Sequence, residues 1–331
     1  MKDKYLIFKI LALIIAIVLA YFLIKTIQFN TLSSDVEYFD VDLDPENKFY
    51  GVIDDKYYYL RDSNFEGYDK EKNLFKIELK DVNNIIYDKY IYIIHNNGKI
   101  SMINREDAKE KKSIDIEQEI EFSRFEDDKL YLFTKDSILI KNPNLSDITI
   151  FENLSNPVDI DYKSNITSII EMKLKEGIVN SKISIKGNEE GFNLQTNSEI
   201  FIDTFIIQNS TYFVSNRYIY KIDDNKISKK IVLENISNID NDNEKIAVAD
   251  NGKLKIFDLN LDLIDQKLLD MEAIDLSIRK NSIVILGKDS LKVYQNSNII
   301  ETPIAGNISY TSNKDSYYLI FGNRIEKINA Y

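Results

Sequence analysis

"EKIAVADNGKLKIFDLN", residues 244–260, reads as two β-strands around a turn at Asp250-Asn251-Gly252. Asn-Gly suits a two-residue hairpin, whose central residues both need positive φ. A hairpin of the same design lies far upstream: "KYIYIIHNNGKISMINR", 89–105, turning at His95-Asn96-Asn97-Gly98. The copies share little beyond the turn and the alternation of apolar and polar residues. A chain that reuses one hairpin at distant positions is held to a repeat architecture.

The repeat runs through the chain. Short apolar cores begin near Tyr57 ("YYYL"), Tyr90 ("YIYII"), Leu130 ("LYLF"), Ser168 ("SIIEM"), Thr211 ("TYFVS"), Lys245 ("KIAVA"), Ser282 ("SIVILG") and Tyr317 ("YYLIFG"). Their spacing averages about 37 residues, just under that of four-stranded propeller blades. One unit divides into "ISNIDND", "KIAVAD", "KLKIFD" and "DQKLLD", with β-branched and aromatic residues on the apolar phase. After residue 30 no long segment has a 3.6-residue period, and "REDAKEKK", 105–112, reads as a loop.

The ends fit closure. The last unit stops after its third strand, and "DVEYFDVDL", 35–43, is a strand left over before the first. A closed ring needs one blade built from both ends, so that no edge stays open. The fold expected for residues 36–331 is an all-β propeller of eight four-stranded blades closed by the N-terminal strand. Seven would follow if the irregular unit at 157–196 were an elaboration.

"YLIFKILALIIAIVLAYFLI", Tyr5–Ile24, is apolar except for Lys9. Twenty helical residues span about 30 Å, the thickness of the bilayer core. Lys2, Lys4 and Lys9 place the N-terminus in the cytoplasm by the positive-inside rule. The expectation is a cytoplasmic stub at 1–4, a transmembrane signal anchor at 5–27, a tether at 28–35 and an extracytoplasmic propeller at the cell membrane. A cleaved signal peptide is the rival, since Val18-Leu19-Ala20 has small residues at suitable offsets, but the apolar run continues to Ile24.

"VADNGKLKIFDLN", 248–260, resembles the hairpin of quinoprotein-type and YVTN-type β-propellers, whose repeats carry Asp/Asn-Gly and then an alternating strand. The overall plan is similar to that of uncharacterised single-pass propeller proteins of low-GC Gram-positive bacteria. The chain departs from enzymatic quinoproteins in lacking Trp and vicinal cysteines, and from WD-repeat proteins in lacking their Gly-His and Trp-Asp signatures. The resemblance therefore implies a fold and no cofactor.

Composition excludes several chemistries. Net charge is −12, and residues 31–331 alone carry −15, which repels nucleic acid. No cysteine means no disulfide, zinc–thiolate site or thiol nucleophile. The single histidine, His95, opens a hairpin turn beside two asparagines, the place of a polar turn residue. "DVDLDPEN", 40–47, begins like a calcium loop but has Pro45 and Gly51 where an EF-hand needs Gly and Glu. Phosphate-binding glycine patterns are absent. No catalytic, cofactor or metal residues are assigned.

First turns lean acidic, with Asp54-Asp55, Asp127-Asp128 and Asn241-Asp242-Asn243, whereas second turns carry Arg61, His95, Lys135, Arg217, Lys288 and Arg324. Those six are the expected partner-binding residues. The function expected is a membrane-anchored scaffold that binds envelope proteins. A glycan- or peptide-binding sensor using the central funnel is the alternative, through "DIDYK" (159–163) and "SYTSNKD" (309–315). A hydrolase of envelope polymers ranks third.

Overall fold

The computed structural model describes residues 37–40, 50–70, 72–187, 191–279, 281–304, 309–312, 316–321 and 324–329. The apolar N-terminal run, the tether and most of 40–47 lie outside them. Among the described residues no helix is long and apolar enough to cross a membrane.

The described strands make eight four-stranded antiparallel sheets, at 50–78, 82–115, 122–151, 157–196, 201–232, 236–268, 275–303 and 309–329. The eighth takes its fourth strand from the other end of the chain. Glu37–Asp40 pairs antiparallel with Arg324–Asn329, from Glu37 opposite Lys327 to Asp40 opposite Arg324. The irregular unit at 157–196 is itself a four-stranded sheet, with a long second hairpin.

Side-chain alternation explains the stacking. In the second strand of the first sheet, Tyr57 and Tyr59 pack toward the eighth sheet while Tyr58 and Leu60 pack toward the second. In the next sheet Ile91 and Ile93 face back and Tyr92 and Ile94 face forward. Both phases are buried, so second strands read as unbroken apolar runs, as strands covered on both faces do. Among the described residues there is one hydrophobic cluster for each of the eight seams. The cluster of Val52, Tyr57 and Tyr59 with Tyr318, Ile320 and Ile325 joins the last sheet to the first. Each fully buried side chain of this size contributes about 1.5–3 kcal/mol.

Tight turns use the chemistry legible in the sequence, with Asp and Asn standing in for scarce glycine. Asp54-Asp55 (φ 49° and 61°), Asp127-Asp128 (48° and 55°) and Asn251-Gly252 (49° and 72°) all carry two positive φ angles.

First strands of successive sheets adjoin at several seams, which leaves an inner edge there that no ladder completes. Side chains of the neighbouring sheet fill that edge. Asp159 and Asp161, two residues apart on Pro157–Lys163, accept the backbone N–H groups of Thr204 (2.8 Å) and Ile206 (2.6 Å), two residues apart on Phe201–Ile207. Asp240 accepts the N–H of Ile278 at 2.6 Å, and Asn84 donates to Ser123 Oγ at 2.9 Å. Arg124 donates to Asp159 and to the Ile160 carbonyl. An unmet buried N–H costs about 1–3 kcal/mol. Asp161→Ala should therefore lower unfolding stability by about that much, and Asp161→Asn, which keeps an acceptor oxygen, by less than half of it. Urea midpoints at unchanged slope measure both.

Candidate functional site

In an antiparallel sheet the first and third turns emerge on one face, and the second turns emerge on the other with the sheet-to-sheet connections. All six expected partner residues lie on the second-turn face. Arg61 and His95 end their second strands, Arg324 begins a third strand, and Lys135, Arg217 and Lys288 occupy turns. Each belongs to a different sheet, so they are spread around the face and not gathered at one point.

Their surroundings differ. His95 Nδ1 lies 3.1 Å from the Lys80 carbonyl oxygen. Arg61 covers the Tyr59 ring at 5.7 Å. Arg324 donates to Glu326 at 2.7 Å and stacks over Phe321 at 4.1 Å. Lys135, Arg217 and Lys288 are exposed. The connections bring exposed Glu117, Glu119, Glu121, Glu152, Glu234 and Glu272 to this same face, so its charge is mixed. On the opposite face Asp54 pairs with Arg105 (2.9 Å) and Asp55 with Lys327 (2.8 Å), linking the first sheet to both neighbours.

The second-turn face also carries exposed apolar side chains. Phe122, Val158 and Ile202 stand exposed at the starts of first strands, with Ile200 and Ile274 in the connections leading to them. Val232 and Leu268 end fourth strands at 71% and 63% exposure. Leu174 and Ile178 sit at the tip of the long hairpin. Together they form an arc over the third to seventh sheets. The opposite face has exposed apolar side chains too, Ile227, Leu263 and Ile264 at the starts of fourth strands, while Leu145 and Leu261 in its third turns are buried. No motif flagged the arc; Val232 and Leu268 lie on the exposed phase of their fourth strands, opposite the phase of Ile231, which packs on the core.

Two features lie within it. On the fifth sheet Lys230 sits 3.6 Å from the Tyr218 ring centre and 4.5 Å from that of Tyr220, whose hydroxyl donates to Glu199. Burial, with the Glu199 contact second, pushes the Tyr220 phenol well above its ordinary range. At the base of the long hairpin, a cavity of about 440 Å³ is lined by Glu171, Met172, Lys173, Asn180, Lys182 and neighbours. Buried Glu171 accepts from the Ser155 N–H (2.9 Å) and from Lys182 Nζ (2.6 Å).

The funnel residues have different duties. Asp159 and Asp161 are engaged with the next sheet's backbone. Burial raises Asp161 and Asp240 above the usual carboxylate range despite their N–H bonds. Asp203, on the neighbouring first strand, is pushed well above that range by burial first and then by the Asp159 carboxylate, against the pull of Arg124. Of "SYTSNKD", only Ser309–Ser312 is described, as the first strand of the eighth sheet. Among the described residues no group of three or more His, Cys, Asp or Glu is arranged to hold a metal ion.

No protein-family model matches the chain, and no curated protein matches it. Solved structures do. Sqt1 of Saccharomyces cerevisiae superposes with a TM-score of 0.61 at 10% identity, covering 90% of this chain and 100% of that one. BamB of Moraxella catarrhalis gives 0.58 at 11% identity, covering 91% and 100%. The WD40 domain of Neurospora crassa Pan2 gives 0.52 at 11% identity, covering 76% and 89%. At such identities the likeness establishes the fold, a β-propeller of four-stranded sheets.

Asp203 yields a pH dependence of definite sign. A carboxyl whose pKa is raised on folding favours the folded state fully below its unfolded value, about 3.9, and loses that contribution as pH rises toward the folded value. Thermal unfolding should show Asp203→Asn gaining on the parent as pH increases, by about 2 °C or more at pH 8 and negligibly at pH 4.

Proposed function

We propose that this chain is a protein-interaction scaffold: an eight-bladed propeller, held at a membrane by residues 5–27, that docks a partner protein on its second-turn face. The apolar arc from Phe122 to Ile274 carries this reading. At about 25 cal/mol per Å² of apolar area, burying such an arc gives a partner a substantial driving force. Exposed Lys135, Arg217 and Lys288 flank it and, with the surrounding glutamates, set which partner fits, since rim charges act on specificity and encounter more than on affinity. A rigid ring that holds many exposed turns in fixed relation is a suitable platform for such contacts.

The membrane reading rests on the Tyr5–Ile24 run and the lysines that precede it. It puts the propeller outside the cytoplasm and the partner among envelope proteins. A funnel ligand is less favoured, because the two carboxylates of "DIDYK" are already bonded to backbone N–H groups.

Crosslinking and capture from intact cells tests both parts. The triple variant Ile202→Glu, Val232→Glu, Leu268→Glu should lose a specific partner at least tenfold. A matched set replacing Asp54, Asp127 and Asp242 should stay within twofold. These apolar positions are exposed, so the changes should leave stability nearly unaltered. Removing residues 1–30 should release the propeller from the membrane fraction. Equal losses in the two triple variants would defeat the assignment of the face.

A further inference from the structure

The second hairpin of the fourth sheet stands out from the ring. Its strands, Ile166–Lys175 and Ile178–Lys186, have ten and nine residues, whereas the second strand of every other sheet has five or six. The inner neighbour pairs with it only as far as Glu171 and the outer neighbour only as far as Ser181. Beyond those points Met172–Lys175 has a strand partner on one side alone, the returning strand. The hairpin closes at Glu176-Gly177, both at positive φ (55° and 78°).

The direction of the free edge follows from one bond. The Met172 N–H points away from the returning strand and donates to the Asn156 carbonyl at 3.1 Å. Positions two apart on a strand share an edge, so the N–H and C=O of Leu174 point the same way, with the Met172 carbonyl beside them. Leu174 is 69% exposed and Ile178 50%. Lys173 and Lys175 outnumber Glu176 at the tip, a local positive balance in a chain of net charge −12. An unpaired edge beside exposed apolar side chains is a template for another strand.

We propose that the Met172–Lys175 edge receives an extended segment of a partner protein as an added β-strand, a segment in which apolar and acidic residues alternate. The segment bonds to Leu174 N–H and C=O and to the Met172 carbonyl. Its apolar residues cover Leu174 and its acidic residues meet Lys173. The proposal rests on the reading that this face docks a partner, and it names the partner's chemistry.

The test uses the full chain in detergent and a fluorescein-labelled peptide of four Val-Glu repeats flanked by Gly-Ser, followed by fluorescence anisotropy. The expected result is saturable binding, at least tenfold weaker for the matching Val-Lys peptide. Leu174→Pro removes the N–H on the free edge while sparing the pairing within the hairpin, and should weaken binding at least tenfold. Val179→Pro makes the same change on the opposite edge and should stay within twofold. Thermal unfolding checks that both variants remain folded. Equal binding of the two peptides, or no effect of Leu174→Pro, overturns the proposal. Concentration-dependent dimers that vanish in Leu174→Pro would overturn it too, by assigning the edge to a second copy of the chain. If peptide binding fails while the Ile202, Val232 and Leu268 changes still abolish capture, the docking face stands and strand addition falls.

Discussion

A ring of sheets must satisfy the backbone groups along the inner edges of its sheets, and at Thr204, Ile206 and Ile278 carboxylates of the adjoining sheet do so. Asp159 and Asp161 meet Thr204 and Ile206 in register because both pairs are spaced by two, the period at which a strand repeats its orientation. Each carboxylate thereby acts as a short substitute for a missing strand. The carboxylate oxygens are held by N–H groups, and Arg124 offsets part of the charge at the seam of the third and fourth sheets. Asp203 is left as the carboxyl with least compensation, and burial shifts it accordingly.

Much of the architecture was legible in the residues. Unbroken runs such as "YYYL" and "YIYII" mark second strands because both of their faces are buried in seams. The leftover N-terminal strand signalled its pairing with the C-terminal one. The duties of the inner aspartates were not legible. "DIDYK" looks like a solvated or ligand-facing strand until the next sheet, some 45 residues on, is placed beside it. The apolar arc was hidden for a related reason. Val232 lies on the solvent-facing phase of a fourth strand and Ile202 at the entry of a first strand, and which positions are left uncovered depends on the neighbouring sheet. The cations of the second turns share one face, but the glutamates of the connections lie on it too, and no comparison of turns alone includes them.

The likeness to a WD40 domain at 11% identity, in a chain without WD signatures, has the same origin. Alternation, turn residues and a period near 37 suffice for the fold, while the motifs of particular propeller classes decorate it. What differs from sheet to sheet here is the long hairpin and the exposed apolar residues around it.

The most direct measurement is amide hydrogen exchange resolved at Thr204, Ile206 and Ile278. If the neighbouring carboxylates complete the inner edges, these amides exchange as slowly as ladder amides of the same strands, through the same opening reaction. Exchange at the rate of exposed turn amides, with the ladder still protected, would show that the inner edges stand open and that the seams are held by their apolar clusters alone.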